Sequence, residues 1–152
     1  IDTNGSNPEV IKKITPFINR VALDLKGPPE QKKLLNIAGV IVNIDKIFET
    51  INFVNSQKQI DFEIRTTFVG KLLDADDIDD IIESLKNVGF EGNFVLQQYQ
   101  YFEGVGEKYK KVFTKPGHDI LVDMLEKYKQ KDLPFKIFLR DDFVGYCSID
   151  EI

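Results

Sequence analysis

Hydrophobic positions along the chain switch repeatedly between a helical period and strict alternation, and the switches mark out alternating helices and strands. Asn7 or Ser6 can cap a helix over residues 8–17, with Pro8 in the first turn, where its missing N–H has no intrahelical partner to lose; Ile11, Ile14 and Ile18 mark its inner face. Residues 20–26 read as a strand stopped by Gly27-Pro28-Pro29. A helix over about residues 45–55 follows, with Ile44, Ile47, Phe48, Ile51 and Val54 at helical spacing, and residues 60–69 then alternate as a strand. Asp74 can cap the next helix, which carries Asp76, Asp77, Asp79 and Asp80 near the positive end of its dipole. Ile78, Ile81, Ile82, Leu85 and Val88 form the buried stripe of that helix, and Gly89 ends it. Residues 93–99 make a third strand, and residues 117–130 a last amphipathic helix that buries Ile120 or Leu121, Met124, Leu125 and Tyr128. Residues 135–149 read as an edge strand or a hairpin turned at Asp141-Asp142. This order predicts right-handed strand–helix–strand crossovers, hence an α/β fold with three or more parallel strands and flanking helices. No internal repeat or flexible linker divides residues 1–152, so one domain is expected.

The alternation places charges where a fully covered strand has none. Val21, Leu23 and Leu25 share one face of their strand, while Ala22, Asp24 and Lys26 share the other. In the next strand Ile60, Phe62, Ile64 and Phe68 oppose Asp61, Glu63, Arg65 and Thr67. Strands buried on both faces read as nearly continuous apolar runs, so a polar face implies an interior that is solvated, filled by a ligand or internally paired. Asp24, Lys26, Glu63 and Arg65 together suit a zwitterion, the cations meeting a carboxylate and the acids an ammonium. The alternative is that these charges pair with one another on a wet surface. The opening Ile1-Asp2-Thr3-Asn4-Gly5 is built as a barrel strand ends on its ligand-binding side, and the chain reads as the back part of a longer protein.

Composition narrows the function. The 152 residues, 42% hydrophobic and 30% charged, suffice for one ordinary domain. A net charge of −5, with no run of four or more adjacent Lys or Arg residues, argues against nucleic acid as a partner. No apolar stretch approaches the roughly 18 residues of a spanning helix, so no membrane partner is expected and the protein reads as cytoplasmic. The single Cys147 excludes a disulfide within the chain and a cysteine-held cluster made from this chain alone. The aspartates at 76, 77, 79 and 80 lack the glycine and spacing of a calcium loop and read as a solvated helix start. His118 reads as a surface or capping residue, Cys147 as inert, and Gly104-Val105-Gly106 as too weak a glycine signal for a phosphate loop.

Four segments carry a family resemblance: Asp2-Thr3-Asn4-Gly5, Ala22-Leu23-Asp24-Leu25-Lys26, Ile64-Arg65-Thr66-Thr67-Phe68-Val69 and Leu96-Gln97-Gln98-Tyr99. In order and spacing they resemble the rear half of radical S-adenosylmethionine activating enzymes, of the kind that activate anaerobic ribonucleotide reductase and pyruvate formate-lyase. The resemblance covers residues 1–101. It implies the C-terminal portion of an incomplete (β/α)6 TIM-like barrel whose strands end at S-adenosylmethionine and a [4Fe-4S] cluster. Carried over by motif, Asp2, Thr3, Asn4, Gly5, Asp24, Lys26, Arg65 and Gln100 are the expected cofactor-binding residues. Asp2, Thr3 and Asp24 would lie near the methionine carboxylate and a monovalent cation, Lys26 and Arg65 would add positive charge, and Gln100 would stand toward the adenine.

Such enzymes bind their cluster through C-x3-C-x2-C and grip the methionine amine through Gly-Gly-Glu, and this sequence holds neither. The resemblance therefore implies a piece that is inactive and cofactor-free by itself. The complete form would cleave S-adenosylmethionine reductively, with an electron from a donor such as flavodoxin or ferredoxin, and take a hydrogen atom from a glycine of a partner glycyl radical enzyme. Two alternatives belong to other classes: a barrel like orotidine-phosphate decarboxylase using Asp24 and Lys26, in which Pro29 stands where that motif continues with an acid, and a non-catalytic interaction module docking by its strand edges.

Overall fold

The computed structural model describes residues 1–101 and 106–152. The glycine signal at 104–106 therefore lies outside the described residues apart from Gly106. The strands are β1 (Asp2–Thr3), β2 (Arg20–Asp24), β3 (Asp61–Phe68), β4 (Asn93–Gln98), β5 (Lys136–Asp141) and β6 (Gly145–Ser148). The helices are α1 (Pro8–Ile14), α2 (Gln31–Ala38), α3 (Ile44–Asn55), α4 (Ala75–Asn87), α5 (Glu107–Val112) and α6 (His118–Glu126), with 3-10 turns at Thr15–Phe17 and Ile149–Glu151. One six-stranded sheet runs in chain order from β1 to β6. Its first five strands are parallel, and β6 folds back antiparallel on β5.

Because each parallel strand is added beside the last in the same direction, right-handed crossovers lay the helices on one side of the sheet. That side is the apolar one: Val21, Leu23, Phe62, Ile64, Phe94, Leu96, Ile137 and Leu139 are buried there in one cluster with Ile47 and Ile51 of α3, Ile78, Ile81 and Leu85 of α4, and Leu121 and Leu125 of α6. The opposite face carries Asp24, Glu63, Arg65, Thr67, Gln97 and Arg140, as the alternation requires. It is concave. Tyr146 Oη donates to Glu63 Oε2 at 3.2 Å although β6 is three strands from β3, about 14 Å on a flat sheet, so the sheet curls toward its polar side. The ring of Tyr146 stacks on Phe138 and takes the Arg140 guanidinium at 5.0 Å, which fills the middle of the hollow and leaves the C-terminal strand ends open.

The capping chemistry read from the sequence is present. Asn7 accepts from Val10 N, and Asp74 and Asp77 form a reciprocal capping box at α4. Gly89 adopts φ 64° just past that helix. Gly92 allows a close crossing, since a Cβ there would stand 2.2 Å from the carbonyl oxygen of Phe62. The last segment is a hairpin, and its first strand extends the parallel sheet.

Several bounds differ from the sequence reading. The first helix gives way to a 3-10 turn at Thr15, and the last ends at Glu126, short of Gln130, which takes φ 56°. Helix α2 is absent from the periodicity because Leu34 is its single buried residue, and α5 because six residues are too few to show a period.

Candidate functional site

Three adjacent parallel strands bring the charged residues to one end of the hollow. The register sets Asp2 beside Ala22 and Asp24 beside Arg65, all on the concave face. Arg65 Nε donates to Asp24 Oδ1 at 2.9 Å, and its Nη2 lies 2.9 Å from the same oxygen and 3.1 Å from Asp2 Oδ1. Lys26 Nζ reaches Asp24 Oδ2 at 3.3 Å. Two carboxylates and two cations thus balance, with Arg65 14% exposed and Asp2 69% exposed. The charges line the hollow, and they also pair with one another, so both readings of the alternation describe part of the arrangement. Glu63 does not join this group. It is buried one step deeper, engaged by Arg20 Nη2 at 3.4 Å and by the Tyr146 hydroxyl.

The remaining motif residues shape the backbone. Thr3 lies beside Leu23, off the concave face, and its Oγ1 accepts from Gly5 N at 3.1 Å; Asn4 Oδ1 accepts from Ser6 N at 3.0 Å. Gly5 takes φ 73°, with a notional Cβ 2.9 Å from Leu23 Cδ1, so a side chain would be both strained and crowded. Two buried threonines that the sequence reading passed over fix this end of the sheet. Thr50 Oγ1 donates to Gly5 O, and Thr66 Oγ1 donates to Leu25 O between Asp24 and Lys26, each at 2.8 Å.

Across the hollow, Thr67, Gln97, Gln100 and Arg140 border a cleft of about 250 Å³. Gln100 Nε2 donates to Gln98 Oε1 at 2.6 Å, and Gln98 in turn donates to Pro116 O, which ties the strand end to the segment before α6. His118 is neither a surface residue nor a side-chain cap: its Nδ1 lies 2.6 Å from Oδ2 of the buried Asp141. The carboxylate accepts, so Nδ1 carries the hydrogen. Burial pushes the Asp141 carboxyl up, but hydrogen bonds from Val144 N, His118 and Phe143 N outweigh it and hold the group below its usual value. A signal for this pair exists in the sequence: Ile137, Leu139 and Asp141 share the apolar face, so the charge falls where the alternation calls for a buried residue and requires a partner from a covering helix. Cys147 stands on β6, its thiol raised by burial and by Glu151, in keeping with an inert residue. Asp79 meets the Tyr128 hydroxyl and Asp77 meets Lys33, so the acidic start of α4 is an ion-paired helix end.

Fold and site together define an α/β half-barrel whose charged cluster on the concave face reaches the C-terminal end of β2 at Asp24 and Lys26, the side on which barrel proteins bind ligands. No family model matches the chain. A curated protein of Methanocaldococcus jannaschii, provisionally named a glycyl-radical enzyme activating enzyme, is 33% identical over 118 residues, covering 74% of this chain and 47% of the relative. The chain therefore spans about half the length of the curated relative it matches. In three dimensions it is similar to a crystallised domain of pyruvate-formate lyase-activating enzyme from Bacteroides vulgatus, with TM-score 0.65 and 14% identity over 89% of this chain and 78% of that one. At that identity the second likeness speaks to the fold alone. The sequence match agrees with the resemblance carried by the four motifs, and the structural match with the fold it implies: the chain is similar to activating enzymes of this kind.

Proposed function

We propose that this chain forms the cofactor-orienting half of a radical S-adenosylmethionine activating enzyme, whose complete form takes a hydrogen atom from a glycine of a partner glycyl radical enzyme. The observation that carries the reading is the meeting of Asp2, Asp24, Lys26 and Arg65 across three adjacent strands of the concave face. The donor set fits the amino-acid end of S-adenosylmethionine: Lys26, half exposed, has donors left for a carboxylate, and Asp24 offers an acceptor to an ammonium. Gln97 and Gln100 on the far side of the hollow add neutral hydrogen-bonding groups suited to the adenosine end. Thr3, Asn4 and Gly5 contribute by fixing the turn that carries Asp2, and Thr66 by fixing the strand end that carries Asp24 and Lys26.

When bound beside a reduced [4Fe-4S] cluster, S-adenosylmethionine supplies the hydrogen-abstracting equivalent; this chain's residues orient it and exclude water. The cluster does not fit here, because one cysteine cannot replace three and Cys147 stands on the edge strand. Its ligands belong to the part of the protein that the relative's further length represents, and this chain alone does not cleave the cofactor. The monovalent cation does not fit either, since the Arg65 guanidinium already stands between Asp2 and Asp24 and the Thr3 hydroxyl is turned to Gly5. The partner is an anaerobic ribonucleotide reductase or a pyruvate formate-lyase-like enzyme, and the electron donor a flavodoxin or ferredoxin.

Two results test the reading. The coding sequence upstream of Ile1 should encode C-x3-C-x2-C and Gly-Gly-Glu, and the whole protein, reconstituted anaerobically and reduced, should release 5′-deoxyadenosine. An initiator codon directly before Ile1, or an intact cluster that yields no 5′-deoxyadenosine, would contradict it.

A further inference from the structure

Beside Asp24 and Lys26 a second cleft of about 400 Å³ opens between the ends of β1 and β2 and the loop joining α2 to α3. Leu34 and Ile47 lie buried in its floor, while Val40 and Ile41 on its wall are 63% and 81% exposed. Apolar side chains held this far into water beside an unfilled apolar floor leave a contact unmade.

Charge supplies the second observation. Asp2, Asp24, Lys26 and Arg65 cancel one another, but Lys46, which also lines the cleft, takes part in none of the ion pairs among the described residues. Lys46 stands in the first turn of α3, where the helix dipole disfavours a cation. An apolar floor with one uncompensated ammonium at its rim complements a segment that offers an apolar side chain next to a carboxylate.

We propose that this cleft docks a polypeptide segment of the partner enzyme in which a large aliphatic residue adjoins Asp or Glu, the aliphatic group seated against Leu34, Ile41 and Ile47 and the carboxylate on Lys46. The proposal rests on the reading of the strand ends as the place where a partner enzyme is met. It adds the chemistry that selects that partner. A free volume of this size admits a leucine-sized side chain with room for the backbone around it.

The test is a titration of the 15N-labelled chain, followed by amide shifts, with the capped peptides Gly-Leu-Glu-Gly, Gly-Leu-Lys-Gly and Gly-Ser-Glu-Gly. The Leu-Glu peptide should saturate shifts at Val40, Ile41 and Lys46. Replacing Glu by Lys should weaken binding about fivefold and replacing Leu by Ser about tenfold or more, the sizes expected of an exposed ion pair and a buried aliphatic group. Lys46→Glu should reverse the charge preference, and Ile41→Ser should weaken both leucine peptides; both positions are exposed, so neither variant threatens the fold. Equal binding of the three peptides, shifts elsewhere on the chain, or none at millimolar peptide would overturn the proposal. So would shifts of these amides with protein concentration alone, which would make a second copy the occupant. None of these readouts depends on the cluster, so absence of 5′-deoxyadenosine in the whole enzyme would remove the radical reading and leave the measured docking standing.

Discussion

Arg65 shows what a single mid-strand cation can organise. Its guanidinium is flat and forked, so it holds Asp24 through two nitrogens while still reaching Asp2 on the next strand but one, which a lysine ammonium could not do. The Asp141–His118 pair does the same for the far end of the sheet, tying the β5–β6 turn to α6. Because the Asp141 carboxyl is held below its usual value, the folded state favours its ionised form. The stabilisation is therefore complete above about pH 4 and is lost as pH falls through the lower folded value. Asp141→Asn should cost about 1–3 kcal/mol in urea denaturation at pH 7, and the gap to the native protein should narrow toward pH 3; a gap that stays constant would contradict the pairing. Residues of this kind were unevenly legible. Asp24, Lys26 and Arg65 stood out because they broke an otherwise apolar alternation. The buried threonines did not, since Thr is as common on a strand as any β-branched residue and only its long-range carbonyl partner reveals the role.

Among elements, the hairpin is the one whose position had least support in the sequence and most consequence in the structure. Parallel pairing of β5 with β4 extends the sheet beyond the three strands that the periodicity marks, and β6 then closes that edge. Tyr146 converts the hairpin into a filling for the hollow, and its phenol is pushed up to about 12, first by burial and then by the Glu63 carboxylate it faces. Tyr146→Phe removes the donor from a buried carboxylate, so amides of β6 should exchange with solvent about fivefold faster or more, the effect of about 1 kcal/mol. Unchanged protection across Gly145–Ser148 would mean that the hairpin is held by its ladder alone. Long helices and strands were readable because they repeat a period several times; α2 and α5 are too short or too little buried to do so.

At the scale of the whole molecule, one physical fact links fold to function: all the crossovers run the same way, so the helices cover one face of the sheet and the other face curls inward uncovered. A hollow of that kind, polar at its C-terminal rim and filled at its middle by Phe138 and Tyr146, leaves room at the rim where the proposed cofactor would lie. The chain spans 47% of the length of its curated relative, and no described helix is long and apolar enough to cross a membrane. The decisive measurement is the affinity of the anaerobically reconstituted whole enzyme for S-adenosylmethionine, compared between the native protein, Lys26→Gln, Arg65→Gln and the distant surface control Lys58→Gln. Binding should weaken about tenfold or more in the first two variants, as expected for loss of a charged hydrogen bond, and should not change in the third. Equal affinity in all four proteins would contradict the assignment of the strand-end charges to the cofactor.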